Sequence, residues 1–434
     1  MTTDTRRPRI VILGGKPARL EKARQAGFDV VWIHSLAEAD VGGLAQAAQV
    51  HLMDFRIPEA VTEIVRASHR IAPVERVVAL TEDAMVPAAH AGSALGLPGN
   101  SLETVQLLQD KLAFRAVLRE RGIDQVAARQ GGSEAEIGAF VAAHGPSVIK
   151  PRGGVASLGV RLVPSQAAVP DAWRWACDFG MVPFLMEEYL EGPELSVETF
   201  SFAGRHVVLA HTAKQTHESF VEIGHAQPAS LDPATITQVN GLVTRMLDTV
   251  GFRDGPAHTE VKLTPGGPHL VESHSRRGGD RIADLVQHVY GIDIDALAFR
   301  WYAGQTGPVV PGPPRCGAAI HFLTATPGIV EAIENVEEVR ADPDLVDLEL
   351  DVSPGDRVHP LYCSDDRIGL VFATGPSGPA AQATAAALAA RLIIRTRPEP
   401  DGQPPRTIAW YTPHPERMLG TAGMPPPEKV SASG

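Results

Sequence analysis

Apolar runs alternate with amphipathic stretches over the first hundred residues. Three runs are typical of buried strands: RIVILGG at 9–15, FDVVWIHS at 28–35 and VERVVAL at 74–80. Between the first two, PARLEKARQAG at 17–27 has the spacing of a short helix closed by Gly27. Strands that alternate with helices predict a parallel, doubly wound sheet. The turn LGGKPA lacks the full G-x-G-x-x-G pattern, which favours a tight strand-to-helix turn over a dinucleotide site.

The pattern changes beyond this region. Residues 101–121 are predicted to form one long helix, with Ser101 as its N-cap and Gly122 as its stop. Short strands separated by glycine turns are expected over 146–205. Further helices are predicted at 234–250, at 281–303 as two helices broken at GID, and near 378–391.

A stretch rich in Gly and Pro marks a domain boundary at 304–315, GQTGPVVPGPPR. We therefore expect an N-terminal βαβ domain, a two-lobed central domain, a C-terminal lobe and a loose tail. Their bounds are 1–99, 100–305 (lobes 100–190 and 191–305), 306–412 and 413–434.

Composition excludes several classes of protein. The 434 residues are 44% hydrophobic and 21% charged, and no apolar run approaches the roughly 20 residues that span a bilayer. The net charge of −12 argues against a nucleic-acid-binding surface. Three distant cysteines without CxxC spacing argue against a disulfide framework or a zinc site and fit a cytoplasmic protein: Cys177, Cys316 and Cys363.

Two β-rich runs flank TPGGP within AHTEVKLTPGGPHLVESH at 257–274, which predicts a hairpin. A register centred on Gly266 opposes three pairs of residues: Glu260 with Glu272, His258 with His274, and Lys262 with Leu270. Alternate residues share a face, so the histidines, the glutamates and the lysine point the same way. Opposed glutamates repel unless a cation lies between them, and hard oxygen donors suit Mg²⁺. The alternative is a solvated hairpin face on which water screens the carboxylates.

The next motif, VESHSRRGGD at 271–280, crowds charged groups at the end of the second strand. Arg276 and Arg277 follow the strand, and Asp280 is predicted to cap the helix RIADLVQHV. A cation-binding pair of acids, two guanidinium groups and the amides of a helix N-terminus all favour anionic ligands. Such a set suits transfer of a phosphoryl group to a carboxylate.

A glycine-rich turn in SVIKPRGGVASLGV, at 147–160, follows Lys150 at the end of a strand. It is not a P-loop, because the lysine precedes the loop. The backbone N–H groups of Gly153 and Gly154 and the hydroxyl of Ser157 are suited to phosphate oxygens. A plain glycine hairpin is the alternative.

The run FLMEEYLEGPELSVETF, at 184–200, is apolar with a charged centre. Met186, Tyr189 and Leu190 offer an adenine ring an apolar slot beside a hydrogen-bonding backbone edge, and Glu194 could accept hydrogen bonds from ribose hydroxyls. The alternative is an edge strand with solvated acids.

In this order, five motifs resemble the ATP-grasp superfamily, in particular its carboxylate–amine ligases, which include the bacterial L-amino-acid ligases. The motifs are DKLAFR (110–115), VIKPRGGVASLGV (148–160), MEEYLEGPELSVE (186–198), AKQTHESFVEIGHAQPA (213–229) and HTEVKLTPGGPHLVESHSRRGGD (258–280). The resemblance covers most of the chain. It implies an ATP-grasp fold of α/β and α+β class, with a doubly wound N-terminal domain, a two-lobed nucleotide-binding grasp and a C-terminal closing lobe.

The resemblance also implies roles for individual residues. Nucleotide binding is implied for Lys111, Lys150, Gly153, Gly154, Ser157, Glu187, Glu188, Tyr189, Leu190 and Glu194. Metal binding is implied for Glu260 and Glu272, and catalytic roles are implied for Arg276, Lys214 and His225. His274 stands where many relatives carry asparagine. It is either a third metal ligand, which leaves room for Mn²⁺ beside Mg²⁺, or a hydrogen-bonding neighbour of the metal site.

The function implied is an ATP- and Mg²⁺-dependent ligase. It would phosphorylate a carboxylate, that of an amino acid, and pass the acyl group to an amine with release of ADP and phosphate. Its partners would be small-molecule carboxylate and amine substrates, with no nucleic acid and no membrane, and homodimerisation is left open. Two alternatives remain: a biotin-carboxylase-like enzyme that activates bicarbonate, and a nucleotide-binding protein without ligase activity.

Overall fold

The apolar runs near the N-terminus form a parallel sheet, as predicted. The computed structural model describes residues 7–153 and 156–398, so the expected tail at 413–434 lies outside the described residues, as does Gly154. The N-terminal elements are β1 (Arg9–Leu13), α1 (Pro17–Gln25), β2 (Asp29–His34), α2 (Val41–Leu44), β3 (Gln49–Leu52), α3 (Pro58–Ile71), β4 (Val74–Ala79) and α4 (Met85–Ala94). The sheet has the order β3-β2-β1-β4, and all of its pairs are parallel.

The next segment contributes two helices and a small antiparallel sheet. Its elements are α5 (Leu102–Gln109), α6 (Lys111–Glu120), β5 (Ala128–Gly131), α7 (Glu134–His144), β6 (Ser147–Lys150), β7 (Arg161–Val163), α8 (Val169–Asp178) and β8 (Phe184–Glu188). The strands lie in the order β5-β8-β6-β7.

The prediction of one helix over 101–121 is wrong, although Ser101 does cap the first of the two helices. Asp110 adopts an extended conformation between them, and its carboxylate accepts hydrogen bonds at 3.1 Å from the backbone N–H groups of Leu112 and Ala113. A short acidic side chain that satisfies the backbone of the following turn ends one helix and starts the next. This break sets Lys111 at the N-terminus of α6.

We expect Asp110→Ala to lower the free energy of unfolding by about 1 kcal/mol, because two N–H groups of α6 lose their acceptor. Asp110→Asn should recover most of the loss, since the amide oxygen can still accept these bonds. Urea denaturation of the three proteins would measure both effects. Equal stability of the Ala and Asn variants would show that the cap contributes nothing.

Most strands in the rest of the described chain belong to one large sheet. The elements that precede the Gly- and Pro-rich stretch are β9 (Glu194–Phe202), β10 (Arg205–Thr216), β11 (Glu222–Gln227), α9 (Pro233–Thr249), β12 (Gly255–Thr264), β13 (Gly267–His274), α10 (Ile282–Tyr290) and α11 (Ile294–Tyr302). The C-terminal elements are β14 (Gly317–Phe322), β15 (Gly328–Glu334), α12 (Val336–Arg340), β16 (Leu345–Leu350), β17 (Arg357–Val358), β18 (Gly369–Gly375), α13 (Gly378–Arg391) and β19 (Ile393–Arg397).

Pairing of β11 with β14 joins the two parts into one eight-stranded sheet of order β13-β12-β9-β10-β11-β14-β18-β16. The sheet therefore continues across the Gly- and Pro-rich stretch at 304–315. A separate three-stranded sheet, β17-β15-β19, covers the C-terminal end. No helix in the described ranges is long and apolar enough to cross a bilayer.

Packing joins α5 and α6 to the large sheet. Leu108, Phe114 and Leu118 share one core with residues of α9 and with Leu270 of β13. Burial of such side chains contributes about 1.5–3 kcal/mol each. The start of α6, and with it Lys111, is therefore held over the end of the β12–β13 hairpin.

Candidate active site

The β12–β13 hairpin forms the floor of the site. The predicted pairs Glu260–Glu272 and His258–His274 are confirmed. The predicted pairing of Lys262 with Leu270 is wrong, because the turn is centred between Pro265 and Gly266 rather than on Gly266, which sets Lys262 opposite His269. A β-bulge between Glu260 and Val261 leaves Val271 unpaired and shifts the register by one residue, so that Glu260 and Glu272 face each other across the strands.

Glu272 is held as a carboxylate by two cationic neighbours. Lys111 Nζ lies 2.9 Å from its Oε2, and His274 Nε2 lies 2.8 Å from its Oε1. Burial acts to raise the pKa of Glu272, but Lys111 and His274 outweigh it and hold that pKa well below its usual range. The acid is therefore ionised at neutral pH.

Lys214 lies in a ring of three carboxylates. Its Nζ is 2.7 Å from Glu194, 3.0 Å from Glu222 and 2.5 Å from Glu260. Burial acts to lower the pKa of Lys214, yet the three acids raise it well above its usual range. Glu222 was not singled out from the sequence, because its contribution depends on β11 lying beside β10.

The two carboxylates of the hairpin, Glu260 and Glu272, oppose each other and are oxygen donors that suit a hard divalent cation. One oxygen from each of Glu194, Glu222 and Glu260 also lies within 4.8 Å of the others, but the ammonium of Lys214 contacts all three of these carboxylates. Burial acts to lower the pKa of His274, but Glu82 raises it and the balance is upward. His274 Nε2 lies within hydrogen-bonding distance of Glu272 Oε1, at 2.8 Å, which is the geometry of a hydrogen-bonding neighbour of the metal site.

A buried ion-pair network ties the small sheet to the hairpin. Glu187 Oε2 lies 2.5 Å from Lys150 Nζ, and Glu187 Oε1 accepts from Arg115 Nε at 2.7 Å. Arg115 also donates to the carbonyls of Leu270 and Val271 at 2.7 and 3.2 Å. Burial acts to raise the pKa of Glu187, but Arg115 and Lys150 bring it down to about 2. The side chain of Glu187 thus fixes Lys150 in place.

The glycine-rich loop rests on two other segments. Ser157 Oγ donates to the carbonyl of Phe220 at 2.9 Å, and the backbone N–H of Ser364 donates to the carbonyl of Ala156 at 3.2 Å. Gly153 and Ser157 line the cavity beneath the loop. Ala156 and Ser157 thereby lie beside the cavity that Lys150 and Lys214 also line.

Arg276 is oriented by an acid from the N-terminal domain. Its Nε lies 2.5 Å from Glu82 Oε2, and His274 Nδ1 is 3.2 Å from the same oxygen. Burial acts to raise the pKa of Glu82, but His274 and Arg276 hold it far below its usual range. Glu82 was not predicted from the sequence. The sequence feature that could have identified it is the position of an acid just past β4, because ligand sites form at the carboxyl ends of parallel strands.

The prediction that Asp280 caps α10 is wrong. Arg281, in a left-handed conformation, occupies the N-cap position without a side-chain hydrogen bond. Asp280 instead accepts both arms of Arg367 at 2.8 and 2.9 Å and lies 3.4 Å from His225 Nε2. The bidentate pair with a guanidinium outweighs a single capping bond. Burial acts to raise the pKa of Asp280, but His225 and Arg367 lower it far below its usual range.

One cavity of about 340 Å³, here the inter-lobe cavity, lies between the small sheet and the hairpin. Every predicted site residue that the structure describes lines it: Lys111, Lys150, Gly153, Ser157, Glu187, Glu188, Tyr189, Leu190, Glu194, Lys214, His225, Glu260, Glu272, His274 and Arg276. A second cavity of about 400 Å³, the domain-interface cavity, lies between the N-terminal domain and the large lobe. Arg276 and Gly279 belong to the walls of both.

The ion pair between His258 and Glu198 stabilises the hairpin. Its Nδ1 lies 2.6 Å from the buried carboxylate of Glu198, which also accepts from the backbone N–H of Gly278 at 3.0 Å. Burial acts to lower the pKa of His258, but Glu198 raises it from 6.5 to about 9. The folded pKa lies above the unfolded one, so this contribution is fully present below pH 6.5 and is lost as the pH rises through about 9.

We therefore expect the free energy of unfolding to fall between pH 6.5 and 9, by up to about 1.4 kcal/mol per pH unit from this group. His258→Asn should lack that component of the pH dependence. Urea denaturation at stepped pH values would measure the two slopes. Parallel curves for the wild type and the variant would refute the raised pKa.

Three family models match the chain in sequential order. They are an ATP-grasp N-terminal domain at 20–99, an ATP-grasp domain at 143–284 and an L-amino acid ligase C-terminal domain 2 at 321–397. The chain belongs to the ATP-grasp superfamily. The matched ATP-grasp domain contains Lys150, Lys214, Glu260, Glu272 and Arg276.

Two relatives of this ATP-grasp protein match it with low sequence identity. Carnosine synthase 1 from Gallus gallus is 27% identical over 364 residues, which cover 74% of this chain and 39% of that protein. Alanine–anticapsin ligase from Bacillus subtilis is 23% identical over 264 residues, 55% of this chain and 56% of that protein. The chain thus matches less than two thirds of the length of either relative.

A solved structure confirms the predicted fold. An L-amino acid ligase from Bacillus licheniformis superposes with a TM-score of 0.75 and 24% identity, and the match covers 91% of this chain and 100% of that one. At this identity the likeness concerns the fold alone.

Proposed function

We propose that this chain is an ATP-dependent ligase that joins the carboxylate of an amino acid to an amine through an acyl phosphate. The observation that carries the proposal is the convergence of every described candidate residue on the inter-lobe cavity, with Arg276 shared with a second cavity. The matched C-terminal domain model and the names of the two relatives support amide-bond formation between small molecules.

ATP would bind to lysine side chains whose positions are already fixed by neighbouring carboxylates. Lys111 and Lys150 present buried ammonium groups to the cavity, each held by a carboxylate, at 2.9 and 2.5 Å respectively. Their orientation costs little when a phosphate chain arrives. Tyr189 and Leu190 line the wall where the adenine ring would stack, and Glu194 lies within reach of the same cavity for a ribose hydroxyl.

Glu260 and Glu272 would hold Mg²⁺, which when bound would supply positive charge to stabilise the phosphates. Lys214 and Lys111 keep these two acids ionised, as the short contacts show. His274 would orient Glu272 by hydrogen bonding rather than take a coordination position.

Arg276 would stabilise the negative charge that builds up on the activated carboxylate. Its guanidinium is held by Glu82 in the wall between the two cavities, so its donors are preorganised before the substrates bind. The docked glycine-rich loop, through Ser157 and Ala156, would exclude water from the acyl phosphate. No side chain needs to act as a covalent nucleophile.

The test is phosphate release from ATP and Mg²⁺ against a panel of amino acids, singly and in pairs, with and without bicarbonate, followed by mass spectrometry. Phosphate formation that needs a carboxylate and an amine, with a product of their summed mass less water, would support the ligase. Phosphate that needs bicarbonate alone would support the carboxylase alternative. Nucleotide binding without turnover on any substrate would support a protein that has lost ligase activity.

A further inference from the structure

Much of the wall of the domain-interface cavity is apolar. Six of its lining side chains come from the N-terminal domain and α11: Val78, Leu80, Met85, Ala88, Leu97 and Phe299. Its volume of about 400 Å³ lies within the range of small-molecule sites. None of the roles proposed above uses this space.

Its place in the fold is one where ligands bind. The cavity follows β4 to the carboxyl end of that strand, beside β1. In the order β3-β2-β1-β4, the strands β2 and β3 lie on one side of β1 and β4 lies on the other side. The gap between β1 and β4 is therefore the topological switch point of the sheet. Arg276 and Gly279 connect this wall with the inter-lobe cavity.

The charged groups in the wall already have partners. Within the described part of the chain, each carboxylate that lines the cavity pairs with an arginine: Glu82 with Arg276 at 2.5 Å, Asp254 with Arg76 at 2.5 Å and Asp295 with Arg277 at 3.2 Å. Arg19, the remaining lining cation, donates to the carbonyl of Leu80 at 2.8 Å. A charged side chain of a substrate would therefore meet no unpaired counterion, whereas an apolar one would be buried favourably.

Gly92 leaves the cavity room for a large group. It lies on the same face of α4 as Met85 and Ala88, and all three line the cavity. A Cβ at Gly92 would meet no heavy atom within 4 Å, its own helix backbone aside. Glycine costs a helix up to about 1 kcal/mol relative to alanine, so neither the helix nor its packing calls for glycine at this position.

We propose that the domain-interface cavity holds the side chain of the amino acid whose carboxylate is activated, that this side chain is bulky and apolar, and that Gly92 sets the depth of the pocket. The inference rests on the proposed ligase function. The carboxylate must reach the inter-lobe cavity at Arg276, so the rest of the same substrate extends into the neighbouring cavity. The space far exceeds what bicarbonate needs.

Hydroxylamine can replace the unknown amine, because it converts an acyl phosphate to a hydroxamate and free phosphate. With ATP, Mg²⁺ and hydroxylamine, we expect the wild type to use L-phenylalanine, L-leucine or L-methionine with a kcat/KM at least about 10-fold above that for L-alanine, L-lysine or L-aspartate. Preference for a small or charged amino acid would overturn the assignment of substrate class.

Substitution of Gly92 tests the place of the pocket. Gly92→Leu should raise the KM for the bulky amino acid by about 10-fold or more, while leaving the KM for ATP and the use of L-alanine unchanged. The matched control is Ala94→Leu, which adds the same side chain to an exposed position of α4 outside the cavity. An unchanged substrate preference in Gly92→Leu would overturn the proposal.

A binding measurement separates this inference from the ligase function. If the wild type forms no hydroxamate with any amino acid, the ligase proposal fails. Calorimetric titration of L-phenylalanine in the presence of a non-hydrolysable ATP analogue would then decide the cavity assignment. Binding by the wild type and the Ala94→Leu variant, but not by Gly92→Phe, would support it, and absence of binding would overturn it.

Discussion

Glu272→Gln is expected to lose at least about 1,000-fold in kcat, or about 4 kcal/mol of transition-state stabilisation, while it still folds. The change removes one negative charge from the pair of opposed acids that would hold Mg²⁺. Its geometry is almost unaltered, because an amide oxygen can still accept from His274. Lys111, which lies 2.9 Å from the carboxylate, would lose its counterion, so some loss of thermal stability should accompany the loss of rate.

Steady-state ADP formation over a range of Mg²⁺ concentrations would measure the effect, and thermal unfolding would establish that the variant is folded. The matched control is Glu331→Gln, an exposed acid of β15 remote from both cavities. It should retain full activity. Wild-type kcat in Glu272→Gln at ordinary Mg²⁺ would contradict the metal assignment.

Arg276→Ala is expected to lose about 100-fold or more in kcat with little change in the dissociation constant for ATP. The guanidinium lies in the wall shared by the two cavities, where the activated carboxylate would meet the nucleotide. Lysine keeps the charge but not the planar fork, so Arg276→Lys should recover only part of the rate. Glu82→Gln should give an intermediate loss, because the amide can still accept a hydrogen bond from Arg276 but no longer carries the charge of the ion pair.

Single-turnover rates at saturating ATP, with nucleotide titrations on the same proteins, would separate rate from binding. Arg174→Ala on the exposed face of α8 is the control for removal of an arginine. A large loss of ATP affinity in Arg276→Ala, with an unchanged rate at saturation, would place this residue in nucleotide binding and contradict its proposed role.

Local patterns were sufficient for the hairpin. TPGGP predicts a tight turn between two strands, so the hairpin itself followed from the sequence. The pairing of Glu260 with Glu272 also depends on a β-bulge, which leaves no mark in an alternating pattern. The same reasoning failed for Lys262, because the turn is centred between Pro265 and Gly266 rather than on Gly266. It failed for the helix over 101–121 as well, because Asp110 resembles any polar surface residue until its carboxylate turns to the backbone of α6.

The contacts that orient the site could not be predicted in this way. Glu82 and Arg276 are 194 residues apart, and Asp280 and Arg367 are 87 residues apart. Arg115 lay within a recognised motif, but its pairing with Glu187 depends on how the small sheet meets the hairpin. Such pairs depend on the tertiary arrangement and carry no periodic signal. The resemblance to a family supplied candidate residues, and the structure supplied the residues that hold them.

Isotope transfer tests the central claim most directly. The activated amino acid would be labelled with ¹⁸O in its carboxylate and turned over with ATP, Mg²⁺ and an amine, and the phosphate would be analysed by mass spectrometry. Ligation through an acyl phosphate predicts one ¹⁸O in the released phosphate for every amide formed. Amide formation with unlabelled phosphate, or with the label in AMP, would contradict the account.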